Sequence, residues 1–474
     1  MDFQAIIGLE IHVQLNTKSK MFSSSPCSFG KATNKCVSSL DMGFPGAMPT
    51  VNKKAVIFAI RVCRALKMDI DNVLWFDRKN YFYSDLPKGY QITQHQRPIG
   101  KNGELTITTE NGNKCIRIRC LQLEEDACKQ IHFKDKTLVD YNRAGIPLIE
   151  IVLEPDIANG EQALKCVEKI RSIVQFLDVS NGKMEEGSLR CDVNVSVRSK
   201  DSKIVGTKVE IKNINTLNNI KRAIDFEIQR QSEILNSGGT VLSETRRFDE
   251  NKKQTVAMRI KTIDADYKYF TEPNIPPIKL SDEFIKKAID ESPELADEKY
   301  LRYLGIGLSE QNAHLLTSNK DISNYFDELV KEGCSPTLAA NWVNTTVQEV
   351  LNKRNIGIEL FPISPSDLAE LIKFIEKDLI SNKQAREIFD KMLTEGKKAS
   401  SFIEQSKTLL INDGNLLKTH IENVLKDNPS LVNDYKNGKT KVVGYIVGKV
   451  MSLTNGKANP SMTNKLVVET LKEK

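Results

Sequence analysis

Leu9-Glu10-Ile11-His12-Val13-Gln14-Leu15 alternates apolar and polar residues without a break. That period of two predicts a strand with Leu9, Ile11, Val13 and Leu15 on one face and Glu10, His12 and Gln14 on the other. The pattern returns in Asp192-Val193-Asn194-Val195-Ser196-Val197-Arg198, whose valines oppose Asp192, Asn194, Ser196 and Arg198. In Lys208-Val209-Glu210-Ile211-Lys212, Glu210 projects beside Lys208 and Lys212. Only Ser199-Lys200-Asp201-Ser202 separates the last two segments, so strands over 192–198 and 203–212 are expected to form a hairpin. Further strands are expected over 6–15 and 114–123, and helices over 53–66, 161–177 and 215–236. Strands mixed with helices, without strict βαβ alternation, predict an α+β fold with a mostly antiparallel sheet.

After Ser281 the periodicity becomes helical almost throughout. Ser364-Pro365-Ser366-Asp367 is a capped helix start, followed by Leu368, Leu371, Ile372, Ile375 and Leu379 at helical spacing. A second helix carries Ala385, Ile388, Phe389, Met392 and Leu393 and stops at Gly396. The expected division is an α+β domain over 1–290, an all-α helical domain over 291–405 and a helical tail over 406–474.

The chain has 474 residues, 68 Lys+Arg, 62 Asp+Glu and a net charge of +6. With 40% hydrophobic and 27% charged residues it can bury cores, which excludes wholesale disorder. No run approaches the ~18 apolar residues of a membrane helix, and the first residues lack a secretory pattern. A cytoplasmic protein with no membrane partner is expected. From residue 436 onward eight lysines face two acids, so all the net charge sits in the tail. That tail suits a phosphate backbone, or is a solvated lysine-rich end.

The polar strand faces carry the chemistry. Asp, Asn, Ser and His are short and ligate well, and Glu150 is a charge inside the apolar run 146–152. More acids stand in Leu123-Glu124-Glu125-Asp126. Nine cysteines without a CxxC pair offer no thiolate site, whereas carboxylates with one imidazole suit Mg²⁺ or Mn²⁺. Lys79, Arg143, Arg190 and Lys212 are candidate partners for phosphate or a substrate carboxylate, or surface ion pairs. No P-loop, GxGxxG or GxSxG sequence occurs.

The same segments carry a resemblance. Residues 7–15, Asp77-Arg78-Lys79-Asn80-Tyr81-Phe82-Tyr83, Asp85-Leu86-Pro87-Lys88-Gly89-Tyr90, 139–148, Gly187-Ser188-Leu189-Arg190-Cys191-Asp192, 208–213 and Thr245-Arg246-Arg247-Phe248-Asp249-Glu250 are similar to the GatB family, one of the subunits of the tRNA-dependent amidotransferases. Gly456-Lys457-Ala458-Asn459-Pro460 resembles its YqeY-like end. The resemblance implies a cradle-shaped N-terminal kinase domain, a helical domain and a tRNA-binding tail using Lys439, Lys441, Lys449 and Lys457. It implies ATP-dependent phosphorylation of the side-chain carboxylate of Glu-tRNA(Gln) or Asp-tRNA(Asn). Ammonia from an amidase partner (GatA-like) would follow, with a small belt subunit (GatC-like) in the complex.

By residue, Glu10, His12, Glu125, Glu150, Asp192 and Glu210 match the family's metal-binding positions. Lys79, Glu125, Arg190 and Lys212 are the implied catalytic residues, with Asn194, Ser196 and Arg143 at the nucleotide. Implied cofactors are ATP with Mg²⁺ or Mn²⁺. Ser23-Ser24-Ser25 and Cys36-Val37-Ser38-Ser39 stand where relatives carry zinc cysteines, so no structural zinc is expected. Cys128, Thr262, Thr271 and Asn274 also depart from the family pattern.

Overall fold

The computed structural model describes residues 3–27, 30–201, 204, 206–260, 266–406, 411, 413–454 and 456–473. Ser202, Lys203 and Thr262 lie outside them. The chain divides into two units, Met1–Ala296 and Asp297–Lys474.

In the first unit the opening stretch becomes the long strand β1 (Phe3–Gln14). It is followed by β2 (Asp69–Ile70), β3 (Gly100–Thr109), β4 (Gly112–Glu125), β5 (Pro147–Leu153), β6 (Leu189–Ser199), β7 (Val209–Lys212), β8 (Glu244–Asp249) and β9 (Gln254–Ile260). These build one sheet in the order β9-β8-β7-β6-β1-β5-β4-β3-β2. Neighbours are antiparallel except β7 and β8. The fold is α+β with a mostly antiparallel sheet, as the alternating pattern predicts.

β1 sits at the centre because its apolar residues meet a fully covered face: Leu9 is 1% exposed, and Ile11 and Val13 are 0%. Helices α1 (Lys53–Ala65), α2 (Gly160–Phe176) and α3 (Leu217–Asn236) add Val56, Ile60, Val167, Ile170, Ala223 and Ile224 to the same core. Each of these Val and Ile side chains contributes about 1.5–3 kcal/mol by leaving water. Asn52, Asn159 and Thr216 cap the three helices through their side-chain oxygens. A Cβ at Gly160 would lie 2.7 Å from the Lys221 carbonyl oxygen, so glycine lets α2 approach α3.

The expected hairpin forms: β6 pairs antiparallel with β7, placing Asn194 opposite Glu210. Its second strand is shorter than expected, beginning at Val209, and Lys208 is exposed. A three-stranded sheet of Asp77–Asn80, Tyr90–Thr93 and Phe270–Thr271 packs over the polar side of the large sheet. Its Thr93 hydroxyl donates to Glu124 Oε1 at 2.8 Å, and the Gln91 amide to Glu124 Oε2 at 3.3 Å. This roof positions Lys79.

The second unit is helical among its described residues. Ser364 accepts from the Asp367 N–H to start Pro365–Glu376, and Gly396 ends Asn382–Glu395 at φ +66°, a conformation glycine adopts freely. One apolar core runs from Tyr303 to Ile403 and another from Leu417 to Leu471. A π-helical turn, Trp342–Val347, interrupts the helical rod between Pro336–Asn341 and Gln348–Arg354. Among the described residues no helix is long and apolar enough to cross a membrane.

Candidate metal centre and active site

Antiparallel register assembles the site. On one side β1 sets His12 opposite Glu150 of β5, and Glu150 lies opposite Gln122 of β4. On its other side β1 sets Glu10 opposite Asp192 and His12 opposite Arg190 of β6. The polar residues of four neighbouring strands thereby share one face.

The densest group is His12, Glu124 and Glu150, each offering a ligand atom within 4.8 Å of the others. His12 Nε2 is 3.7 Å from Glu150 Oε1 and 4.0 Å from Glu124 Oε2. Burial pushes the Glu150 carboxyl well above its ordinary range, and the neighbouring charges of Glu124 and Glu10 push the same way. Burial also lowers the His12 imidazole despite the opposing pull of Glu124. A neutral imidazole keeps a lone pair for a metal. Among the described residues no Lys or Arg lies within 4 Å of either carboxylate. Crowded oxygens, a neutral imidazole and missing countercharge fit a hard divalent cation.

Of the six expected ligands, His12 and Glu150 enter this group. Glu125 does not, and Glu124 stands in the group instead. Consecutive strand residues point to opposite faces, so Gln122 and Glu124 share the His12 side. Glu125 instead accepts from the Lys88 ammonium and, at 3.0 Å, from the Ile92 N–H. Counting in twos from the apolar Leu121 and Leu123 puts Glu125 on their face and leaves Glu124 on the polar one.

Glu10 accepts from Asn194 Nδ2 at 3.0 Å. Asp192 and Glu210 are held by Lys212, whose Nζ lies 2.6 Å from Asp192 Oδ2 and 3.0 Å from Glu210 Oε1. Thr245 donates to the second Glu210 oxygen at 3.0 Å. Burial opposes the Lys212 charge, but these two acids raise its ammonium above the ordinary range. Asp192 and Glu210 thus form a lysine-bridged edge to the site, with Glu10 tied to Asn194 beside Asp192.

Asp126 follows β4 and, like Glu124, has no role assigned from the sequence alone. Its Oδ2 accepts from Arg143 Nε at 2.7 Å and Gln14 Nε2 at 2.9 Å. Its Oδ1 accepts from Arg143 and Arg190, both at 3.0 Å. Burial works against ionisation, yet Arg190 and Arg143 bring the Asp126 carboxyl down to about 2. Two guanidiniums sharing one carboxylate leave a positive surplus facing the site. Lys79 Nζ lies 4.8 Å over the Tyr267 ring and 5.9 Å over Tyr81, with its charge felt by Glu150. The Ser196 hydroxyl is buried and donates at 3.4 Å to the Ile6 carbonyl, so it turns toward backbone.

In the tail, Lys439, Lys441 and Lys449 are exposed and Lys457 is half-buried. Lys439 pairs with Asp434 at 2.8 Å, and Lys449 lies 5.9 Å over Tyr445. Cys128 is buried, which pushes its thiol up to about 12.

The first unit is an α+β domain that carries this site, and the second unit is helical among its described residues. Residues 5–286 match the family model described as the GatB/GatE catalytic domain, and residues 324–471 match the one described as the GatB domain. The chain is 43% identical over 476 residues to the GatB-type subunit of the aspartyl/glutamyl-tRNA(Asn/Gln) amidotransferase of Bacillus licheniformis, covering 100% of both proteins. It is 43% identical over 472 residues to that of Staphylococcus haemolyticus, covering 99% of both. The chain belongs to the GatB family.

Proposed function

We propose that this chain is the kinase and amidating subunit of a glutamine-dependent, tRNA-dependent amidotransferase, a carbon–nitrogen ligase acting in the cytoplasm within a complex. The side-chain carboxylate of Glu-tRNA(Gln) or Asp-tRNA(Asn) attacks the γ-phosphorus of ATP, and ADP leaves. Ammonia released from glutamine by a GatA-like amidase, with a GatC-like subunit in the complex, then attacks the acyl carbon. Phosphate departs and the nitrogen loses a proton.

The observation that carries this reading is the His12–Glu124–Glu150 group. An anionic carboxylate must approach an anionic triphosphate, and a bound Mg²⁺ or Mn²⁺ would supply charge neutralisation there. His12, Glu124 and Glu150 would hold it, with Glu10 fixed by Asn194 at the edge. Lys79, Arg190 and Arg143 are the cations arranged to meet transferring oxygens. Lys212 keeps Asp192 and Glu210 together, and Glu125 ties the small sheet to β4 through Ile92. The basic tail, through Lys439, Lys441, Lys449 and Lys457, attracts the tRNA backbone.

The test is metal-dependent stabilisation alongside turnover. Millimolar Mg²⁺ or Mn²⁺ raises the melting temperature of the full chain, because a ligand bound only to the folded state stabilises it. The Glu124→Ala variant loses that shift and, in the reconstituted complex with supplied ammonia, loses amidation. An undiminished shift and normal turnover in Glu124→Ala would remove the metal role.

A further inference from the structure

The helical unit holds a cleft of about 400 Å³, of a size with small-molecule sites. None of its lining residues carries a charge. Ile322 and Leu351, both buried, form part of its apolar wall. Asn319, Asn344, Gln348 and Asn352 supply amides. The last three stand four residues apart, on one side of the rod formed by the π turn and Gln348–Arg354. π turns of this kind occur often at functional sites.

The amides are only partly used. Asn344 spends its Nδ2 on Asn312, and Gln348 donates its Nε2 to Asn352 Oδ1 at 3.0 Å. Asn319 Oδ1 caps the helix Lys320–Lys331. Among the described residues, the side-chain oxygens of Asn344 and Gln348 and the Nδ2 groups of Asn319 and Asn352 keep free hydrogen-bonding capacity. A phosphate or carboxylate would find no countercharge here. A wholly apolar ligand would leave the amides unpaired. A planar group with apolar faces and an edge of mixed donors and acceptors satisfies both walls.

We infer that this cleft takes an unstacked nucleobase of the tRNA, its edge on Asn344, Gln348 and Asn352 and its ring against the Ile322–Leu351 wall. Asn and Gln amides read base edges in this way, and RNA presents splayed bases from loops and ends. The inference rests on the amidotransferase reading for its tRNA.

A fluorescently labelled tRNA(Gln) transcript titrated with the full chain tests it. Asn352→Ala, at an exposed position, and Gln348→Leu are each expected to weaken binding about tenfold. The slope of log affinity against log salt stays unchanged, because no phosphate contact is lost. A merely destabilised fold would lower the melting temperature, which Asn352→Ala leaves in place. Wild-type affinity in both variants overturns the cleft assignment and leaves the proposed reaction standing. Failure of the unaltered chain to bind tRNA overturns the proposed reaction itself.

Discussion

Asp126 and Glu150 are acids of the same sheet face in opposite electrostatic states. Asp126 has two guanidiniums and an amide on its oxygens, which hold its carboxyl down at about 2 despite burial. Glu150 has another glutamate and a neutral-leaning imidazole, and burial drives its carboxyl well above the ordinary range. The protein completes the first charge from its own side chains and leaves the second short of positive charge. An arrangement that costs stability and persists points to a function for the missing charge.

The sharpest way to break this contrast is Glu150→Gln. If the missing charge is a cation's, the variant loses about 10³-fold in ATP-dependent amidation, since Lewis-acid stabilisation is worth several kcal/mol and each ~1.4 kcal/mol is tenfold. Its metal-free melting temperature rises or holds, because a like-charge contact with Glu124 is gone. A variant that keeps turnover would make Glu150 an ordinary buried acid.

Asp126→Asn should behave in the opposite sense. Removing one partner strands the guanidiniums of Arg143 and Arg190, so the fold loses about 3 kcal/mol. Chemical denaturation of the two variants side by side compares them directly. Equal stability changes would show that the two acids do not differ as described.

These two residues also show how much of the site the sequence could reveal. Alternation in Leu9–Leu15 is a local property of the chain, so β1, its buried face and the shared polar face of Glu10 and His12 were legible from spacing. The hairpin β6–β7 was legible because its linker is short. Glu124-Glu125-Asp126 was not, because three adjacent acids look alike in sequence. Their partners Thr93, Gln91, Lys88 and Arg190 come from 31 or more residues away, and only register separates them. The roof over the polar face was equally hidden, since Asp77–Asn80 pairs with Phe270–Thr271 across nearly the whole first unit.

A third carboxylate, in the helical unit, extends the comparison to a place without proposed chemistry. Asp327 accepts from Lys299 Nζ at 2.7 Å, Tyr303 Oη at 2.9 Å and Arg302 at 3.0 Å. Burial opposes its charge, but Arg302 and Lys299 bring its carboxyl below the ordinary range. A depressed carboxyl adds stability that is complete above its unfolded value, ~3.9, and is lost as pH falls through the folded one. The stability of the full chain should therefore fall more between neutral and acid pH than that of Asp327→Asn, which lacks this contribution at every pH. Identical acid profiles would mean that Asp327 behaves as a solvated group.

The smallest effect is expected where the countercharge is itself exposed. Lys439 pairs with Asp434 at 2.8 Å, with the lysine side chain 67% exposed. Surface pairs of this kind are worth little, so Lys439→Ala should change stability by no more than about 0.5 kcal/mol. Its value lies in a longer-range interaction: if the tail meets a phosphate backbone, losing one such lysine lowers the salt slope of tRNA binding by about 1. Glu150→Gln should leave that slope untouched, since it removes no cation from the backbone path. A Lys439→Ala slope equal to that of the unaltered chain would return Lys439 to the role of a solvated side chain, and the same titration on Lys441→Ala, Lys449→Ala and Lys457→Ala would show whether any part of the tail's surplus charge reaches the nucleic acid.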